Sequence, residues 1–283
     1  MVLPSGGSFC PGDGGRIGRG KVMDWSRAKT IFIITFLILN IFLGVQLIMQ
    51  KNQNKFDLIK ETSIEERLKA DEITFPELPQ EPTEGTYVEA EEKMFREDEL
   101  AFLRGQDIDL SGGTTVLSTL KDPYPLKKDW QEKDANEFVL NYVYKGGEYV
   151  FGEFREDENQ IIYYQTYNNF PFFKNSSGQL VLTLNNNNEI VSYRQTMLDH
   201  VKELKKQELL TAYEALVTLY NKRLLRSGNK ITKVEIGYYT LVPVRSSQLL
   251  APTWRFSVEG EDDLFVNAVE GHAFSETESK KLE

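Results

Sequence analysis

The chain has 283 residues, a formal net charge of −10 and a single cysteine, and its length is enough for one or two globular domains with a sizeable core. Residues 51–283 carry 41 Asp and Glu against 28 Lys and Arg, which excludes DNA and RNA as partners, because phosphate binding needs clustered cations. With Cys10 alone there is no intrachain disulfide, so stability must come from packing.

Residues 1–22 hold seven glycines and no apolar periodicity, so they are read as a disordered leader or a mis-assigned start, with Met23 as the true beginning. Residues 23–30 form a short cytoplasmic N-terminus. Residues 31–49, IFIITFLILNIFLGVQLIM, are 19 residues without a charge, which as a helix span about 28 Å and predict a transmembrane segment. A buried core helix seldom runs so far without a polar face. A cleaved signal peptide is the closer rival, but residues 50–54 offer no small-x-small site, so the segment is expected to stay as an anchor. Arg27 and Lys29 on one side nearly balance Lys51, Lys55 and Lys60 on the other; Arg16, Arg19 and Lys21 tip the charge rule toward an inside N-terminus. The C-terminal domain is then extracellular.

Within this span Thr35, Asn40 and Gly44 fall at offsets of 5 and 9 and share one broad helix face. Helices in lipid associate by packing and interhelical hydrogen bonds, so an amide beside a glycine marks a candidate partner-binding face. The competing reading is that Asn40 bonds only within its own helix or to interfacial water.

Residues 50–86 are polar and punctuated by Pro76, Pro79 and Pro82, as in an extended extracytoplasmic stalk. Ser63 and Glu66 have capping-box spacing for a short helix through Lys69. A first α+β region, residues 87–200, is expected to hold strands at 87–95 and 114–120 around a short helix at 97–104. A helix at 129–142 follows, then strands at 148–154, 160–167, 179–184 and 190–197. Asn185 to Asn188 joins the last two as a hairpin, because Asn tolerates left-handed turns. A second unit, residues 201–274, opens with the clearest helix, whose Leu209, Tyr213, Leu216, Val217, Tyr220 and Leu224 share a face and which stops at Gly228. Strands at 232–242, 253–258 and 264–269 follow; Trp254, Phe256 and Val258 alternate with Thr253, Arg255 and Ser257. Residues 275–283 are a tail. The fold class is therefore α+β: one N-terminal transmembrane helix and an extracytoplasmic domain of tandem helix-on-antiparallel-sheet units.

Catalytic residues are scarce. His200 and His272 are the only histidines and lack zinc-site spacing, so exposed histidines are the expectation. Glu156, Asp157 and Glu158, and Glu259, Glu261, Asp262 and Asp263, form no calcium-loop pattern and read as solvated turns. Ser111-Gly112-Gly113-Thr114 lacks a phosphate-loop lysine and reads as a turn; Asn175-Ser176-Ser177 matches a glycosylation acceptor only formally. Tyr163, Tyr164, Tyr167, Phe170, Phe172 and Phe173 are divided between core packing and an exposed recognition surface. No catalytic residue, metal or cofactor is expected, and the chain is not expected to be an enzyme.

Residues 23–33, MDWSRAKTIFI, followed by Leu39 to Leu43, resemble the opening of the YycI (WalI) family. Gly237-Tyr238-Tyr239, Pro252-Thr253-Trp254-Arg255-Phe256 and Val266-Asn267-Ala268 are similar to that family's carboxyl-terminal signature. The resemblance covers residues 23 to about 274. It implies a Gram-positive, membrane-anchored, non-enzymatic regulator that acts on the sensor histidine kinase WalK (YycG) together with a YycH-like protein, and hence on cell-wall homeostasis. The residues alone reach only an anchored, interaction-sized ectodomain, and leave open a wall-binding or protease-inhibitor module and an extracellular hydrolase.

Overall fold

The computed structural model describes residues 25–52, 58–80, 82–243 and 247–276. The leader 1–22 and residues 277–283 of the expected tail lie outside them. The chain divides into two units, one ending at residue 57 and one running from Leu58 onward.

The first unit contributes a single helix, α1 (Trp25–Asn52), over the apolar run. Its described side chains between Phe32 and Gly44 are all exposed. Among the described residues no helix is long and apolar enough to cross a membrane.

The second unit is a mixed, sheet-dominated α+β fold. It begins with α2 (Leu58–Ala70), and Ser63 lies inside this helix rather than at its cap. Ile64, Leu68 and Ile73 are buried, and Asp71 accepts a hydrogen bond from the Tyr220 hydroxyl at 2.6 Å. The polar composition expected to make a spacer therefore hides an apolar stripe, and this part of the stalk packs into the fold.

The strands follow as β1 (Glu84–Glu92), then α3 (Glu97–Leu100), β2 (Gln106–Ser111) and β3 (Thr115–Pro125). Next come α4 (Glu132–Tyr142), β4 (Tyr149–Arg155), β5 (Gln160–Tyr167), β6 (Phe170–Phe173), β7 (Gln179–Leu184), β8 (Glu189–Gln195) and β9 (Leu198–Glu208). The chain closes with α5 (Ala212–Asn221), β10 (Ile231–Pro243), β11 (Gln248–Val258), β12 (Leu264–Asn267) and β13 (Ala273–Ser275).

One antiparallel array runs β2-β3-β8-β7-β5, with β4 also on β5; its inner face packs with Phe138 and Val139 of α4 and with Tyr163, Leu180, Leu182 and Tyr193. The other runs β10-β11-β12-β13, with β1 between β11 and β9; α5 packs beside β12. The two arrays meet at β6, which forms a hairpin with β5 and pairs in parallel with β10, Phe172 opposite Tyr238 and Phe173 opposite Tyr239. The expectation of purely antiparallel sheets is corrected at this seam. The two regions expected in tandem share a sheet: β1, from the first region by chain order, lies between β9 and β11 of the second.

Local chemistry explains the elements that sequence did place. Thr211 caps α5, accepting from the Glu214 N–H at 3.2 Å while Glu214 accepts from the Thr211 N–H at 2.8 Å. The Asn185 side chain accepts from the N–H groups of Asn187 and Glu189, and Asn188 takes a positive φ of 57°, which closes the β7–β8 hairpin.

Candidate functional site

On α1, Asn40 Nδ2 donates to Phe36 O at 2.8 Å, the carbonyl four residues back in its own helix. That is the competing intrahelical bond. It uses one of two amide protons and leaves Oδ1 available. A side chain added at Gly44 would meet nothing within 4 Å. Thr35, Asn40 and Gly44 all lie on α1.

In the second unit the histidines stand apart. The His200 side chain is 76% exposed at a positive φ of 51° in β9, 3.9 Å from Glu91. His272 stacks on Phe274, with ring centroids 5.9 Å apart. Among the described residues no group of three or more His, Cys, Asp and Glu side chains stands close enough to hold a metal.

The acid clusters behave differently from one another. Glu156, Asp157 and Glu158 form the tight turn between β4 and β5, closed by Asn159 at φ 51°. The 259–263 turn is not merely solvated: Glu259 pairs with Lys230 at 3.1 Å, Glu261 with Arg226 at 3.5 Å, and Asp263 Oδ2 lies 2.9 Å from Arg255 Nε. This last contact is an ion pair outside hydrogen-bond alignment.

Arg255 opens a charged group at the seam between the two arrays. Its guanidinium is nearly buried, pairs with Glu235 at 3.3 Å and lies over the Tyr164 and Phe173 rings. Close by, Lys174 follows β6 and sits 2.7 Å from Glu153 and 3.1 Å from Glu276. Burial opposes the charge of Lys174, but Tyr164 and the Glu153 hydrogen bond outweigh it and raise its pKa above the ordinary lysine value. Burial opposes ionisation of Glu153 too, yet Lys174 and Arg155 hold it below the usual carboxylate range. Burial pushes the Tyr164 hydroxyl up to about 12. Every charge here has an opposite neighbour, and the group ties β4 and the residue after β6 on one side, and β10 and β11 on the other, through ion pairs.

A second polar network explains the formal glycosylation motif. Asn175 is 4% exposed and donates to Thr240 Oγ1 at 2.8 Å and Gln248 Oε1 at 2.7 Å, while Ser177 bonds to Glu92. No glycan could reach it. Gly112 and Gly113, at φ 63° and 76°, make the β2–β3 turn, as their sequence suggested. Of the aromatic set, Tyr163, Tyr164, Phe172 and Phe173 are buried, and Tyr167 and Phe170 pack half-buried on the core around Phe172.

The residues that resembled a signature are structural. A side chain at Gly237 would meet Pro171 O at 2.3 Å, so only glycine lets β6 approach β10. Trp254 Nε1 donates to Leu210 O at 2.7 Å, and buried Asn267 accepts from the N–H groups of Val269 and Glu270. Sequence patterning missed the Lys174 group, because its charged members, Glu153, Lys174, Glu235, Arg255, Asp263 and Glu276, come from separate segments.

Two solved structures are similar at low level. An uncharacterized protein from Eubacterium rectale ATCC 33656 has 12% identity and a TM-score of 0.44, covering 71% of this chain and 88% of that one. The C-terminal domain of Bacillus megaterium YpeB has 12% identity and a TM-score of 0.36, covering 65% of this chain and 98% of its own. No curated protein matches the chain significantly. Residues 52–269 match the model of the YycI protein family. With three-quarters of its length inside that match, and the Gly237, Trp254 and Asn267 segments building the seam and the second array, the chain belongs to the YycI family.

Proposed function

We propose that this protein is a membrane-anchored, non-enzymatic accessory regulator that binds and modulates the WalK/YycG sensor histidine kinase together with a YycH-like partner. The carrying observation is the family match over residues 52–269, since the family is regulatory and is associated with that sensor-kinase system. The site geometry is in keeping with it: the paired charges serve to join the two arrays. In this reading α1 crosses the membrane with its N-terminus inside, and the domain from Leu58 onward faces the exterior.

Part of the partner contact then lies in the bilayer. Asn40 keeps one amide proton and its carbonyl for a neighbouring helix, and Gly44 permits close backbone approach. Removing such an interhelical bond costs about 0.6 to 2 kcal/mol. The test is co-purification from detergent-solubilised membranes at matched expression. Wild type and Leu37→Ile should retain the kinase, and Asn40→Leu should recover less of it. Absence of any sensor kinase from the wild-type pulldown would overturn the proposed function; equal recovery with Asn40→Leu would overturn only the role of Asn40. Protease added to intact protoplasts should remove the domain, and full protection would reverse the orientation.

A further inference from the structure

The first array ends at β2, whose outer side meets no strand among the described residues. Lys121 N–H donates to Gly105 O at 3.0 Å, and the β2–β3 register continues without a slip from Gln106 opposite Leu120 to Ser111 opposite Thr115. Backbone groups of an antiparallel strand alternate between its two sides. Asp107, Asp109 and Ser111 therefore bond to β3, and the N–H and C=O groups of Gln106, Ile108 and Leu110 point away from it, unpaired.

A groove of about 510 Å³ runs along this edge, with Leu100, Ala101 and Leu103 from the α3 segment as its far wall. Leu100 and Leu103 are buried, and Ile108 and Leu110 pack half-buried on the same core. On the opposite face of β2, Asp107 and Asp109 are exposed. Glu97 also lines the groove. Only Asp107 has an ion partner among the described residues, the exposed Lys121 at 3.3 Å. The edge thus offers open backbone, an apolar floor and an acidic rim. An open edge ordinarily invites a second copy of the same strand. Here the acids oppose that, since self-pairing sets carboxylate against carboxylate.

We infer that the β2 edge is a docking site for an extended segment of a partner protein in which Lys or Arg alternates with apolar residues. Laid antiparallel on β2, such a segment takes its backbone bonds from Gln106, Ile108 and Leu110. Its residues opposite Asp107 and Asp109 share their face at about 5 Å, which selects cations, and those opposite Ile108 and Leu110 enter the groove. The strand supplies affinity, and the alternation supplies specificity.

The test uses the full chain in detergent and a fluorescent peptide of alternating Lys and Val, followed by anisotropy. The peptide should bind, weaken with salt, and lose about tenfold in affinity when its β2-facing amides are N-methylated. Asp107→Lys combined with Asp109→Lys should weaken it by a similar factor, and a Glu–Val peptide should not bind. Ile108→Pro removes only an outward N–H, a place where an edge strand accepts proline, and should also weaken binding. Equal affinity for the N-methylated peptide would reduce the interaction to charge alone and overturn the inference, whether or not the Pro variant folds. Unchanged binding by the double Lys variant, or binding of the Glu–Val peptide, would overturn it as well.

Discussion

Lys174 illustrates how much rests on a single side chain that its sequence neighbourhood does not advertise. It is 10% exposed between Glu153 and Glu276, and its removal takes from both carboxylates a buried cation, leaving Glu153 with Arg155 at 2.8 Å. Breaking one partner of such a group costs about 3 to 5 kcal/mol. We expect Lys174→Met to lower unfolding free energy by about that amount in chemical denaturation, and an unchanged midpoint would show these ion pairs to be unimportant. The acid side has a definite sign. The folded pKa of Glu153 lies below its ordinary value, so its contribution is present above about pH 4.3 and is lost as the pH falls through the folded value. Lys174→Met should flatten that acid limb of the stability profile. The neighbouring sequence, Phe172-Phe173-Lys174-Asn175, reads as a strand followed by a polar turn. Nothing local says that the turn folds inward, because the acids that accept Lys174 come from β4 and from the end of the chain.

Among the elements, α5 was foreseen with its inner face incomplete. The sequence named Leu216 and Val217, which are fully buried, together with Tyr213 and Tyr220, which are half-buried, and passed over Ala212, Ala215 and Leu219, which complete the buried ridge. Small residues add little to an apolar stripe, yet they are what allows a helix to approach a sheet closely. Thr211→Ala removes the cap and should cost about 1 kcal/mol, whereas Leu216→Ala should cost about 2 to 5 kcal/mol; thermal melts of the two variants should separate clearly. At the seam, Gly237→Ala forces Pro171 and Phe173 away and should cost about 1 to 3 kcal/mol. Hydrogen exchange should accelerate specifically at the β6–β10 pairing, and unchanged protection there would remove the close-approach argument. β9 was missed for an understandable reason: LDHVKELKKQE has little period-2 apolar signal, because most of its side chains are exposed. Its place is fixed by β1, which pairs with it from Glu84 to Glu92.

For the molecule as a whole, aromatic burial sets a limit on the alkaline side. Burial pushes the hydroxyls of Tyr164 and Tyr193 up to about 12, and raises those of Tyr149 and Tyr163 further still. In the unfolded chain these groups ionise near pH 10. Their stabilisation is therefore complete below about pH 10 and is lost as the pH rises through the folded values. Tyrosinate absorbance from these side chains should appear together with loss of ellipticity, and gradual ionisation near pH 10 with the fold intact would refute this. By itself, the sequence determined the apolar helix run, the α+β class, the hairpin at Asn185 to Asn188 and the alternation in β11, because each is written in local periodicity or turn chemistry. Only the tertiary structure decided that the segment around Leu68 is core, that β1 lies between β9 and β11, and that β6 joins two arrays through one parallel pairing. It alone also decided that charges distant in sequence meet around Lys174 and Arg255. Those are pairings between remote segments, and their free energy comes from surfaces that exist only once the chain has closed on itself.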